Sequence, residues 1–458
     1  MELPAAVEKY LNKYGSNKWN AECIPFSNIN NIIVIPSIKE YNNLPTVLFS
    51  LSKNAPEHFN DTLVLIVINN SESAGHDITA DNDLSLKMLR GIIHKNAGDD
   101  FSRTIIRSGL NIAVVDASSE GLAMPDKDAG VGLARKIGMD AALRLFNYSS
   151  SRKKILICLD ADCTVEENYI NEIVKAYNEN NISAAVTDYA HNISGDDNSV
   201  PAIICYEIFL RYYVLGLHYA GSVYAYESIG SCMSCDYEHY IKIEGMNKKK
   251  AAEDFYFLEK LAKLLVTPAK TGSGYKGGVY TICGTTVHPS PRGSWRVPFG
   301  TGQRVNRFMG GQHNEYVLYD PAYFEILKKW LNLFGKSGSN SGTEEILSAA
   351  KDIHPELFNF LAEQKFQGDW EHILKNSKSP GQLKKQKVIW FDGFRTMKLI
   401  HHLRDAAGSE INMFDALDKL FTVMGYAPLR KNEFGTPDLD KQKEYLIYLR
   451  EIERKLYI

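Results

Sequence analysis

Four apolar runs, at residues 31–36, 63–68, 111–115 and 155–159, each have the length of a buried strand, and helical spacing fills the chain between them. Leu44, Val47, Leu48 and Leu51 recur at helical intervals after the first run, and a helical stretch containing residues 134–145 precedes the fourth. Strand and helix in this rhythm predict an α/β fold, a mixed but mostly parallel sheet flanked by helices. In such sheets ligands gather beyond the carboxyl ends of the strands. The fourth run stops there on two carboxylates, Asp160 and Asp162.

Composition narrows the functional classes. With 458 residues, 44% of them hydrophobic and 23% charged, the chain can bury a sizeable core in more than one folding unit. A net charge of -3 provides no basic footprint for nucleic acid. The first residues carry charges where a signal peptide needs an apolar centre, and the longest apolar run, residues 63–68, falls short of a membrane span. The expected compartment is the cytoplasm. Seven cysteines, an odd number set mostly in apolar segments, fit reduced thiols. Cys232 and Cys235 form a lone C-x-x-C without a second pair at zinc spacing, which reads as packing.

Two carboxylates at i and i+2, where a strand opens into a loop, can face one hard cation such as Mg²⁺ or Mn²⁺. The same spacing also suits a solvated turn in which an aspartate caps a helix expected near Glu166.

Taken in order, the segments resemble a family 2 glycosyltransferase, or a close relative with the same GT-A type fold: a DxD-containing nucleotide-sugar transferase. VIPSIKE at residues 34–40 is similar to that family's opening strand and early acidic residue. GLARK at 132–136, with Gly138, resembles the helix before its DxD, and LDAD at 159–162 matches the DxD itself. GSCMSC at 230–235, EGM at 244–246 and AED at 252–254 resemble its acceptor-side segment. Two departures stand out. Where the family shows acidic residues after the second strand, this chain has Asn69, Asn70 and Ser71, which leaves the base open between UDP- and GDP-sugars. The Gln-x-x-Arg-Trp signature of processive members is missing, so transfer is expected to be non-processive.

The resemblance implies a role for each group. Asp160 and Asp162 would hold a divalent cation, Mn²⁺ or Mg²⁺, with His288 as a further ligand at the end of a strand-like run. Pro36, Glu40, Asn69, Arg135, Asp160, Arg292 and Arg296 would bind the donor. For an inverting transfer Asp254 would be the base, with Glu253 as an acceptor contact. Each has a plainer alternative: acidic residues in a helix's first turn offset its dipole, and His288 also suits a polar loop. Arg292, Arg296, Arg304 and Arg307 could grip a diphosphate or an anionic acceptor, or line a solvated basic loop. The glycine-rich residues 271–278 match no phosphate loop and read as a connection.

Beyond about Tyr316 the pattern turns helical, with a flexible loop at 335–342 and helices around 346–361, 394–403 and 413–424. A last helix places Tyr445, Tyr448, Leu449, Ile452 and Leu456 on one stripe, which reads as core or as a peripheral membrane contact. The expected organisation is a transferase domain over 1–315 and a mainly helical region over 316–458. The acceptor, whether glycan, lipid or small molecule, is left open. Two rivals remain: a retaining transferase acting on a phosphate- or glycerate-bearing acceptor, and a non-catalytic module that binds sugar nucleotide or glycan.

Overall fold

The computed structural model describes residues 2–96, 98–194, 199–266, 278–292, 301–311, 313–408, 410–431 and 433–457. Seven strands build its central sheet: β1 Asn31–Ser37, β2 Thr62–Asn69, β3 Asn111–Ala117, β4 Ile155–Cys158, β5 Ala184–Tyr189, β6 Met233–Asp236 and β7 Tyr280–His288. Their spatial order is β3-β2-β1-β4-β6-β5-β7, and the two-residue strands Ala21–Glu22 and Thr164–Val165 extend the edges to nine. β3, β2, β1 and β4 run parallel, β6 is antiparallel to both β4 and β5, and β7 returns parallel to β5. The expected α/β class, mixed and mostly parallel, is what forms.

The four apolar runs became strands because they lie in the middle of the layer. Every residue of β2 is buried, as a strand covered on both faces requires. Helix Val131–Ala142 lies on β1 and β2 so closely that a Cβ on Gly138 would come within 2.3 Å of Val34 and 2.8 Å of Val67. The register sets the site. Val34 pairs with Cys158, which brings Asp160 level with Pro36 beyond the last ladder bond, Leu159 N–H to the Val34 carbonyl.

The chain divides into two compact units: Met1–Asn192 with Ser228–Leu261 and Val279–Gln303, and Ile193–Glu227 with Ala262–Gly278 and Arg304–Ile458. The first contains the sheet. The second is helical, with only the short ribbon Val317–Leu318 against Ile411–Asn412 among its described residues. Its core is aromatic: Trp330 stacks on Phe334 at 4.8 Å, with Phe366, Trp370 and Trp390 around them. Helix Ser199–Ala220 is long and apolar enough to cross a membrane, yet 72% of its apolar window is buried inside the structure. It carries Arg211, which is ion-paired to Glu207 and Glu453, and its Gly216 admits the ring of Phe324. The expected helix over 346–361 is broken at His354-Pro355 into Thr343–Ile353 and Pro355–Glu363, since proline cannot continue a helix. On the last helix Tyr445, Leu449 and Ile452 are fully buried, so the stripe is core there, while Leu456 is exposed. None of the seven cysteines is in a disulfide, and Cys232 and Cys235 are buried.

Candidate active site

Asp160 and Asp162 follow β4 on a turn closed by the Cys163 N–H donating to the Asp160 carbonyl. The capping alternative does not form: the next helix begins at Tyr169 and has Asn168 at its N-cap position. Each aspartate meets an arginine instead. Arg135, 2% exposed on helix Val131–Ala142, donates to Asp160 at 2.5 Å and to Glu253 with its other amino group. Arg292 donates to Asp162 from Nε at 3.0 Å and also to Glu40 in the turn after β1.

Two glycines make the Arg135 bridge possible. A Cβ on Gly230 would stand 2.3 Å from its guanidinium, and one on Gly132 would stand 2.3 Å from the Lys249 carbonyl and 3.1 Å from the Glu253 side chain. The chain before Glu253 is strained as well: Ala252 takes φ 57°, a left-handed conformation uncommon for a residue with a Cβ. Helix Glu253–Leu265 opens there. Behind Arg135, Asp140 on the same helix accepts from Tyr10 and Tyr240 at 2.8 Å, from Lys136 at 2.9 Å and from the Ser16 N–H at 2.9 Å.

Five carboxyl groups (Glu40, Asp160, Asp162, Glu253 and Asp254) therefore share two arginines, five against two if all ionise. The crowding shows in proton affinities. Burial, then the charges of Asp160 and Glu40, push Asp162 above the usual carboxylate range against the pull of Arg292. Burial, then Glu253, push Asp254 up to about 7, opposed by Arg135 and by the Phe255 N–H, which donates to its carboxylate at 2.7 Å. Asp160 and Asp162, at the strand end, are oxygen donors of the kind a hard divalent cation takes, though each is paired to an arginine here. Among the described residues no three His, Cys, Asp or Glu side chains come together as a metal group.

His288 does end β7, beside Thr164 on the paired edge strand, but both ring nitrogens are engaged elsewhere: Nδ1 with the Ala190 carbonyl at 2.9 Å and Nε2 with Glu166 at 2.7 Å. Arg304 and Arg307 pair with Glu315 in the helical unit. Arg296 and most of residues 271–278 lie outside the described residues. Pro36 is half-buried on β1, and Asn69 closes β2.

At the carboxyl ends of β1 and β2, the Ser37 hydroxyl and the Asn69 side-chain oxygen are buried with no hydrogen-bond partner among the described residues. Two neighbours lie outside the sequence expectations. Asn82 ties the turn after β1 to the end of β2, accepting from the Lys39 N–H at 3.0 Å and donating to the Asn69 carbonyl at 3.1 Å. Asp116 near the end of β3 is held below its ordinary range: burial raises it, but hydrogen bonds from Ser119, Ser118 and Arg90 outweigh that. A lone Asn in an amphipathic helix has no spacing to give it away, whereas Asp116 is held partly by serines two and three residues on.

No family model and no curated protein matches the chain. Among solved structures it is similar to S. aureus TarS 1-349, at 11% identity and a TM-score of 0.36 over 82% of this chain and 92% of that one. The same protein in complex with UDP-GlcNAc aligns with the same values. The mannosyltransferase PcManGT from Pyrobaculum calidifontis, in complex with GDP-Man and Mn²⁺, aligns at 12% identity and a TM-score of 0.34 over 98% of this chain and 92% of that one.

Proposed function

We propose that the chain is a cytoplasmic glycosyltransferase of the GT-A type, moving a sugar from a UDP- or GDP-sugar to an acceptor hydroxyl with inversion and without processivity. The observation that carries this reading is the Arg135 bridge. One buried guanidinium joins a carboxylate that follows β4 to a carboxylate that opens the acceptor-side helix, and Asp254 stands beside it with a proton affinity near neutrality.

Asp254 takes the proton of the acceptor hydroxyl as that oxygen attacks the anomeric carbon. The bond to the diphosphate breaks, and its electron pair leaves with the nucleoside diphosphate. A base poised near the working pH suits this transfer. Glu253, fixed by Arg135, orients the acceptor. Asp160 and Asp162 would hold Mn²⁺ or Mg²⁺, which supplies Lewis-acid neutralisation of the leaving diphosphate. His288 joins them only by releasing Glu166. Arg292, Pro36, Glu40, Arg296 and Asn69 make up the donor side in this reading, with the unsatisfied Ser37 and Asn69 oxygens offered to the nucleotide.

The test is a panel of UDP- and GDP-sugars with Mn²⁺ or with chelator, reading thermal stabilisation and nucleoside diphosphate release. One donor should stabilise the protein and be turned over with metal and fail in chelator. A donor that binds but is neither hydrolysed nor transferred to any acceptor would favour the non-catalytic module, and a product that keeps the donor's anomeric configuration would favour the retaining rival.

A further inference from the structure

The helical unit contains a cavity of about 710 Å³, bounded by residues 221–224, the carboxyl end of helix Pro321–Lys336 and the helices Phe366–Asn376 and Pro380–Trp390. That size lies inside the roughly 300–1,000 Å³ of small-molecule pockets. Its walls are mostly apolar, with serines between the apolar side chains. Leu331, Leu374 and Val388 line it and remain only half-buried, with Phe391 buried beneath. Val223, on the same lining, is 43% exposed. The walls are fixed in place: the Tyr224 hydroxyl donates to the Val388 carbonyl at 2.9 Å.

Charge is one-sided. Among the described residues three lysines line the cavity and no acidic residue does. Lys387 is committed to the fold, its ammonium donating to the carbonyls of Phe334, Gly335 and Ser337 at 2.8 Å each, so it closes the end of helix Pro321–Lys336 and leaves its charge inside the wall. Lys378 and Lys384 are exposed at the rim. A neutral apolar ligand would leave those two cations unanswered, and a hydrophilic anion would leave the apolar walls wet.

We propose that this cavity binds an anionic single-chain amphiphile. Its hydrocarbon lies between Leu331, Leu374, Val388 and Phe391, and its acidic head meets Lys378 and Lys384. The proposal does not depend on the transferase reading, since binding is read without any sugar donor.

The test uses the full chain and dodecyl phosphate below its micelle concentration, followed by calorimetry, with inorganic phosphate and dodecyl maltoside as single-feature controls. Dodecyl phosphate should saturate one site, and each control should bind at least about tenfold more weakly. Lys378→Glu with Lys384→Glu, both at exposed positions, should cost about tenfold in dodecyl phosphate affinity and leave the melting temperature in place. Val388→Trp should fill the chamber and block the ligand. Unchanged affinity in the double lysine variant, equal affinity for the controls, or no saturable binding overturns the proposal. Flotation with vesicles containing phosphatidylglycerol separates two sources of the same ligand. Co-flotation lost in the double variant places the amphiphile in a bilayer, and monomer binding without flotation places it in solution. Flotation without monomer binding means surface adsorption and overturns the cavity assignment.

Discussion

Arg135 holds two carboxylates at once from a position with almost no access to water. Removing a partner from a buried ion pair costs about 3–5 kcal/mol, because the surviving charge is left unpaired. Arg135→Met should therefore lower the unfolding free energy by an amount of that order in urea titration. Arg135→Lys keeps the charge but not the planar fork that spans two acceptors; it should fold and still lose turnover. Asp254 is the titrating group. Its folded pKa, about 7, lies above the ordinary carboxylate value, so the folded state holds the proton more tightly than the unfolded one. Its contribution to stability is fully present below the ordinary carboxylate pKa and is lost as pH rises through about 7. On the proposed function the rate runs the other way, since a base works ionised: kcat/KM should climb with pH through about 7, and Asp254→Asn should flatten that limb. At this scale spacing singles out Asp160 and Asp162 and the family resemblance singles out Asp254, whereas nothing marks Asn82, whose partners Lys39 and Asn69 come from other segments.

The element that orders the site is helix Val131–Ala142, pressed on the sheet at Gly138 and held from behind through Asp140. Gly138→Ala would drive a methyl group into Val34 and Val67, and overpacking of this kind costs about 1–3 kcal/mol. A lowered denaturation midpoint should show it. Gly230→Ala presses on the arginine itself rather than on the sheet, so it should reduce turnover more than stability, and comparing the two variants separates site geometry from packing. Strands β1 to β4 could be read from their apolar runs because both faces are buried. β6 could not: MSCD is four residues with no β-branched side chain. Helix Ser199–Ala220 was missed for the opposite reason, since burial on many sides leaves no polar face to mark a period.

For the molecule as a whole, residues 193–227 group with the C-terminal helices although residues 228–261 and 279–303 of the sheet unit intervene. Local pattern shows that the C-terminal region is helical, but it cannot show which distant helix completes its core. Gly216→Val would collide with the Phe324 ring and should raise amide exchange through the helical unit. On the proposed function, donor-side and acceptor-side carboxylates form one catalytic centre. Its most direct test is turnover and donor affinity of wild type and Asp254→Asn, prepared side by side with saturating Mn²⁺. Donor affinity should be nearly equal and turnover lower by about 10²–10⁴ in the variant, the usual contribution of general base catalysis. Near-normal turnover by Asp254→Asn would contradict it.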